Sequence, residues 1–131
     1  MDANIFVDVQ RQRRNWNESY AVLKTVIDGE NEGLVSALTP VIMYFLKREI
    51  TSETQAGQDT LDAIEGFRIV ELTASLIERA LHEKRVEDFE DATQFHSAKQ
   101  SDSIIITCNK KCFQRIAKEI HLLTPEEFLN K

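Results

Sequence analysis

Asp88-Phe89-Glu90-Asp91-Ala92-Thr93-Gln94-Phe95-His96-Ser97-Ala98, followed by Lys99-Gln100-Ser101-Asp102-Ser103 and then Ile104-Ile105-Ile106-Thr107-Cys108-Asn109, decides the fold class. The first eleven residues space their apolar positions as an amphipathic helix does, and the last six open on the continuous apolar run of a buried strand. A polar joint separates them, so the stretch reads as one helix-to-strand step of an α/β protein. At about 100° per residue, the helix groups Phe89, Ala92, Phe95, His96 and Ala98 on one broad side, with Asp88 and Asp91 among them. Glu87 and Glu90 turn away. Carboxylates on a packing side need a cap, a cation or a metal to offset their desolvation. Asp88 as N-cap and Asp91 as third helical residue would answer as capping chemistry. Capping is the ordinary reading; an acidic metal site at the carboxyl end of a parallel sheet is the sharper one, because open α/β folds place their chemistry there.

Working outward, Ile5-Phe6-Val7 reads as a strand, bracketed by Asp2, Asn4 and Asp8. Gln10 to Arg14 reads as a polar loop whose Arg11, Arg13 and Arg14 are the densest positive charge of the chain. A helical period runs through Tyr20, Leu23, Val26 and Ile27, closed by turn residues Asp28 to Gly33. Leu34 to Leu38 reads as a strand; Thr39-Pro40 has the order of an N-cap and first helical residue, ahead of a helix apolar almost all round. A helix from Thr51-Ser52-Glu53 carries Leu61, Ile64 and Phe67; Arg68 to Leu72 is strand-like; Thr73 caps a helix through Leu76, Ile77 and Leu81. Beyond Asn109 the pattern predicts a short helix from Lys111 to Glu119, an edge strand within Ile120 to Leu123, and a helical turn opened by Thr124-Pro125-Glu126-Glu127. Alternating strands and helices predict one domain, residues 1–131, built as a three-layer α/β/α sandwich on a central parallel sheet.

The 131 residues suffice for one proper core, and 42% hydrophobic with 29% charged residues is a globular balance. No apolar run approaches the roughly 20 residues that span a bilayer, and the start of the chain lacks the pattern of a signal peptide, so a cytoplasmic location is expected. Cys108 and Cys112 are expected as free thiols, and with scattered His82, His96 and His121 they do not make a zinc motif. A net charge of −6 argues against passive binding of a nucleic-acid backbone, while leaving room for an enzyme that meets RNA through a metal.

Five segments, in order, resemble the PIN-domain family, the ribonuclease fold of VapC-type toxins and related nucleases. They are Asp2-x-Asn4-Ile5-Phe6-Val7-Asp8-Val9 with Arg14; Ser36-x-x-Thr39; Asp88-Phe89-Glu90-Asp91-Ala92 with Ala98; Ile105-Ile106-Thr107-x-Asn109-Lys110-Lys111-x-Phe113; and Leu123 to Leu129. The resemblance implies a phosphodiesterase that cuts single-stranded RNA with Mg²⁺ or Mn²⁺, the cation held by acids from distant parts of the chain. Hard divalent cations take oxygen ligands and stabilise charge on attacking and leaving oxygens, which suits these residue types. It implies Asp2 and Asp91 as catalytic residues, Asp88 as a further metal ligand beside them, and Asn4, Asn109 and Arg14 on the substrate side. An antitoxin partner and a homodimer are implied with it.

Two departures are expected to weaken the site. Ile42 stands where the family carries a glutamate, and Cys112 where an aspartate is common. Glu49 lies seven residues beyond Ile42, about 10 Å along a helix axis, too far to replace that glutamate. One ion can still be held by one or two carboxylates with phosphate and water. Asp2 directly after Met1 also leaves the first strand without preceding apolar residues, as a truncated chain or a frayed strand would. Two functions follow: a metal-dependent endoribonuclease of reduced or lost activity, or a catalytically inactive PIN fold used as a binding scaffold.

Overall fold

A computed structural model describes residues 1–130. The chain runs α1 (Ala3–Arg11), α2 (Trp16–Ile27), β1 (Gly33–Ser36), α3 (Leu38–Arg48), α4 (Glu53–Ile64), β2 (Phe67–Val70), α5 (Ala74–Leu81), α6 (Phe89–Gln100), β3 (Ile105–Ile106), a 3-10 helix (Lys110–Ile116), β4 (Leu122–Leu123) and α7 (Pro125–Leu129). Strands β1 and β2 pair in parallel with Gly33 opposite Phe67, and β3 and β4 pair in parallel with Ile105 opposite Leu122.

Met1 and Asp2 join the two pairs. The Met1 amine donates to the Leu34 carbonyl at 2.9 Å, and the Asp2 N–H donates to the Ile106 carbonyl at 3.1 Å. The order across the molecule is therefore β2, β1, Met1–Asp2, β3, β4.

Alternation along the short strands shows why helices cover both faces. Ile106 and Leu123 enter a core with Ile5, Phe6, Val22, Leu23, Val35 and Met43, drawn from α1, α2, β1 and α3. Their neighbours Ile105 and Leu122 enter a second core with Ala80, Val86, Ala92, Phe95, Phe113 and Ile116, drawn largely from α5, α6 and the 3-10 helix. Successive strand residues point to opposite faces, so apolar pairs at two consecutive positions demand a layer on each side. This is the three-layer α/β/α arrangement that the alternating pattern predicts.

Several local expectations need correction. Ile5-Phe6-Val7 is not a strand but the middle of α1. Asp2, extended at φ −68° and ψ 139°, accepts from the Asn4 N–H and starts that helix. Burial of Ile5 and Phe6, with Val9 packed against the same core, then follows helical spacing and overrides the strand preference of β-branched residues. Gln10 and Arg11 belong to the same helix; the turn is confined to residues 12–15, with Gln12 and Asn15 at positive φ.

Thr39 is not an N-cap. Helix α3 begins at Leu38, whose N–H is met by the Ser36 hydroxyl at 3.2 Å, and Thr39 is buried in the first turn. The same helix is not buried all round: Val41 and Phe45, four residues apart, are about half exposed. Phe67 belongs to β2, where its ring packs edge-on against Phe6 at 5.2 Å. The strand expected from Ile104 to Asn109 keeps only Ile105–Ile106, and the helix expected from Lys111 is the 3-10 segment.

Candidate active site

A helix that leads into a parallel strand runs antiparallel to it, so its N-terminus lies at the strands' carboxyl edge. Helix α6 precedes β3 in this way, and Asp2 leaves the sheet beside the carboxyl end of β3. Chain direction thus brings Asp2 and the Asp88–Asp91 turn to one rim although 86 residues separate Asp2 from Asp88.

Asp2 is buried, 2% exposed, and held at both oxygens. Its Oδ1 accepts from the Asn4 N–H at 3.1 Å, and its Oδ2 from the Thr107 hydroxyl at 2.7 Å. Thr107 Oγ1 in turn accepts from the Asn109 N–H at 3.0 Å. One donor on each carboxylate oxygen leaves lone pairs for a cation while fixing the direction in which they point. Asn4 and Asn109 therefore reach the acid through backbone, and their side chains are exposed at the same rim.

On the opposing turn, Asp88 is the N-cap of α6 and its Oδ1 accepts from the Asp91 N–H at 3.1 Å. Capping and acid clustering prove to be compatible here: Asp88 caps, and Asp91, third in the helix, is half-buried among carboxylates. Burial raises the Asp91 carboxyl to about 6, with repulsion from Asp2 and Asp88 adding to it and the Cys112 thiol partly opposing it. Glu90 is raised further, to about 7, by burial first and then by Asp2, Asp88 and Asp91.

Glu90 corrects the helical-wheel reading, which turned it to solvent. Burial on α6 runs round the helix from Ala92 through Phe95, so no single polar side exists, and Phe89, expected on the packing side, is 41% exposed. The readable signal was positional: the first three residues of a helix whose N-terminus faces a site all lie near that site.

The remaining expected residues divide. Cys112, at the position read as usually acidic, lies against Asp91, and the cluster pushes its thiol up from the ordinary value, burial acting most strongly. Ile42 is half-buried on α3, a helix with no carboxylate between Leu38 and Arg48. Arg14 is exposed in the turn after α1, and its neighbour Arg13 lies 3.9 Å from Asp8. Asp8 is itself 8% exposed and accepts from the Cys108 thiol at 3.4 Å. His96, read among the packing residues, meets Glu83 at 3.1 Å and has a structural role away from the acids.

The donor set suits a hard divalent cation: carboxylate oxygens with mutual repulsion that a cation would relieve, and no imidazole among them. Its geometry is not that of a closed cage. Among the described residues, no three or more Asp, Glu, His or Cys side chains are arranged to hold a metal ion by themselves. An ion here would take one or two carboxylates and fill its other positions from water and phosphate oxygens.

The family model for the PIN domain matches residues 1–111. The chain belongs to the PIN-domain family. Comparison with curated proteins and with solved structures finds no match. PIN membership agrees with the parallel α/β fold and with acids gathered at the strands' carboxyl rim. None of the described helices is long and apolar enough to cross a membrane.

Proposed function

We propose that this PIN domain, a single domain over residues 1–131, is a Mg²⁺- or Mn²⁺-dependent endoribonuclease acting on single-stranded RNA, with activity reduced by its thinned acidic set. The observation that supports this reading is the crowding of Asp2, Asp88, Glu90 and Asp91, where burial first and then repulsion between carboxylates raise Glu90 and Asp91 far above the usual carboxylate range. A cation between them would relieve that repulsion and neutralise a scissile phosphate. In this reading Asp2 and Asp91 are the catalytic acids, Asp88 and Glu90 complete the negative field around the ion, and Asn4 and Asn109 meet the RNA backbone from the rim. Arg14 supplies a more distant positive charge that draws the RNA in.

Purified protein with Mn²⁺ is expected to cut an unstructured RNA. EDTA should abolish cleavage, and Asp91→Asn should slow it by roughly 100-fold or more, the scale on which a charge-stabilising group acts. Cleavage that survived both changes would remove Asp91 from the mechanism.

A second reading, an inactive PIN fold serving as a scaffold, is favoured by Ile42 on a carboxylate-free α3 and by the absence of a three-ligand cluster among the described residues. It predicts no metal-dependent cleavage by either the parent or the Cys112→Asp variant. A VapC-type toxin role, with an antitoxin segment lying over the acidic rim, belongs to the first reading and shares its test.

Exposed apolar side chains Val41, Phe45, Ile50, Leu61 and Ile69, contributed by the α3–α4 region and β2, support a homodimer. Sedimentation at micromolar concentration is expected to give the mass of two chains. A single-chain mass that Phe45→Glu leaves unchanged would contradict it.

A further inference from the structure

A cavity of about 130 Å³ opens at the carboxyl rim of the sheet, lined by Asn15, Glu18, Cys108, Thr124, Pro125 and Glu126. Cys108 and Thr124 stand just past the carboxyl ends of β3 and β4. Helix α2 leads into β1, so its N-terminal turn, with Asn15 and Glu18, comes to the same edge that α6 reaches from the opposite face. The inner wall is fixed: the Cys108 thiol donates to Asp8 Oδ2 at 3.4 Å and lies 3.9 Å from the Ser19 hydroxyl. Cys108 also follows directly on Thr107, whose hydroxyl holds Asp2 Oδ2, and consecutive Cα atoms are about 3.8 Å apart. A nucleotide whose phosphate sat at the acids would therefore have an adjoining base within reach of this cavity.

The lining decides which chemical groups can enter. It holds two carboxylates, Glu18 and Glu126, and no cation, so it rejects a phosphate and favours an uncharged surface rich in N–H donors. Glu18 is half-buried in the first turn of α2. Asn15 occupies the N-cap position of that helix at φ 64° but makes no side-chain capping bond, so the helix does not use its amide. Pro125 is buried and gives an apolar wall. Among the four common bases only guanine carries two adjacent N–H donors, N1–H and the 2-amino group, on one edge, and these match the two oxygens of a single carboxylate. Its O6, next along the same edge, accepts from an amide.

We propose that this cavity is a base-specific subsite that takes a guanine adjoining the scissile phosphate, Glu18 accepting from N1–H and the 2-amino group and the Asn15 amide donating to O6. The inference rests on the reading of the protein as a nuclease for single-stranded RNA, whose unstacked bases can be read along their Watson–Crick edges. A site built to receive hydrogen bonds discriminates against an analogue that lacks a donor, because its own polar groups are then left unpaired.

The probes are the 5′-monophosphates of guanosine, inosine, adenosine, cytidine and uridine, titrated into the metal-free protein while the NMR signals of the Asn15 side-chain amide and the Glu18 and Cys108 backbone amides are followed. All five carry the same phosphate, so differences between them report the base. The guanosine nucleotide should move these signals and bind roughly tenfold more tightly than the inosine nucleotide, which differs only in lacking the 2-amino group. Glu18→Gln should remove that advantage, and with Mn²⁺ the preference for cutting beside guanines should disappear in the same variant. Equal affinity for the guanosine and inosine nucleotides would overturn the proposal, as would an advantage that survives Glu18→Gln. So would signals that move with N-acetylarginine amide and not with the guanosine nucleotide, since the cavity would then suit an arginine of a protein partner. Because binding is read without metal, selective guanosine binding by a protein that cuts no RNA would count against the nuclease reading alone, and RNA cleavage by a protein indifferent to guanine would count against the subsite alone.

Discussion

Mn²⁺ at about 100 times its dissociation constant is expected to stabilise the protein by about 2.7 kcal/mol, a rise in melting temperature on the order of 10 °C for a domain of this size. The effect should be lost in Asp2→Asn and in Asp91→Asn. It should also depend on pH, and the direction follows from the two raised carboxyls. Glu90 moves from 4.5 to about 7 and Asp91 from 3.8 to about 6 on folding. A carboxyl that holds its proton more tightly in the folded state favours folding at low pH and loses that advantage as pH rises from its unfolded value through its folded one. The metal-free protein should accordingly lose stability between about pH 4 and pH 7. Over the same interval the cation, which needs deprotonated ligands, should bind progressively better. Asp91→Asn removes one of the repelling charges, so without metal this variant should be more stable than the parent at neutral pH. Differential scanning fluorimetry across pH, with and without Mn²⁺, reads all of these effects. A metal shift of equal size in both variants would place the ion elsewhere.

Phe95→Ala is expected to cost about 3–5 kcal/mol, the usual range for emptying a fully buried aromatic site. Phe95 is 0% exposed within the core of Ala92, Ile105, Phe113, Ile116 and Leu122, and its ring is flanked by His96 at 4.8 Å and by the cations of Lys99 and Arg85 at 5.6 and 5.9 Å. Since small domains are stable by only about 5–15 kcal/mol, the variant should unfold at much lower urea concentration. Helix α6 carries Asp91 as well as Phe95, so the packing of one side of the helix sets the position of the acid at its start. The same variant should therefore also respond less to Mn²⁺. A loss below about 1 kcal/mol would show that α6 is not anchored through this ring.

The step from α6 into β3 was legible because two periodicities change within one short stretch, and Asp88 marks the start of the helix as its N-cap. Asp2 and Asp91 were legible as partners only through the order of motifs; helical spacing said nothing about a residue 89 positions away. Two of the failures have separate physical causes. Ile5-Phe6-Val7 carries strand-forming side chains, and the weak local preference yields to a cap at Asp2 and to burial of one side of a helix. Glu90 was misplaced because a helical wheel describes the flank of a helix, whereas residues in the first turn also face whatever lies off its end.

Direct titration of the Glu90 and Asp91 carboxyl carbons by NMR in metal-free protein is the sharpest measurement, because the proposed chemistry depends on distant acids sharing one confined space. Both should titrate as a coupled set well above the ordinary carboxylate range, near 7 and 6, and both should fall when Asp2 is replaced by Asn. Midpoints near 4 for both, unmoved by Asp2→Asn, would mean that the acids do not share a site and that no cation is called for there.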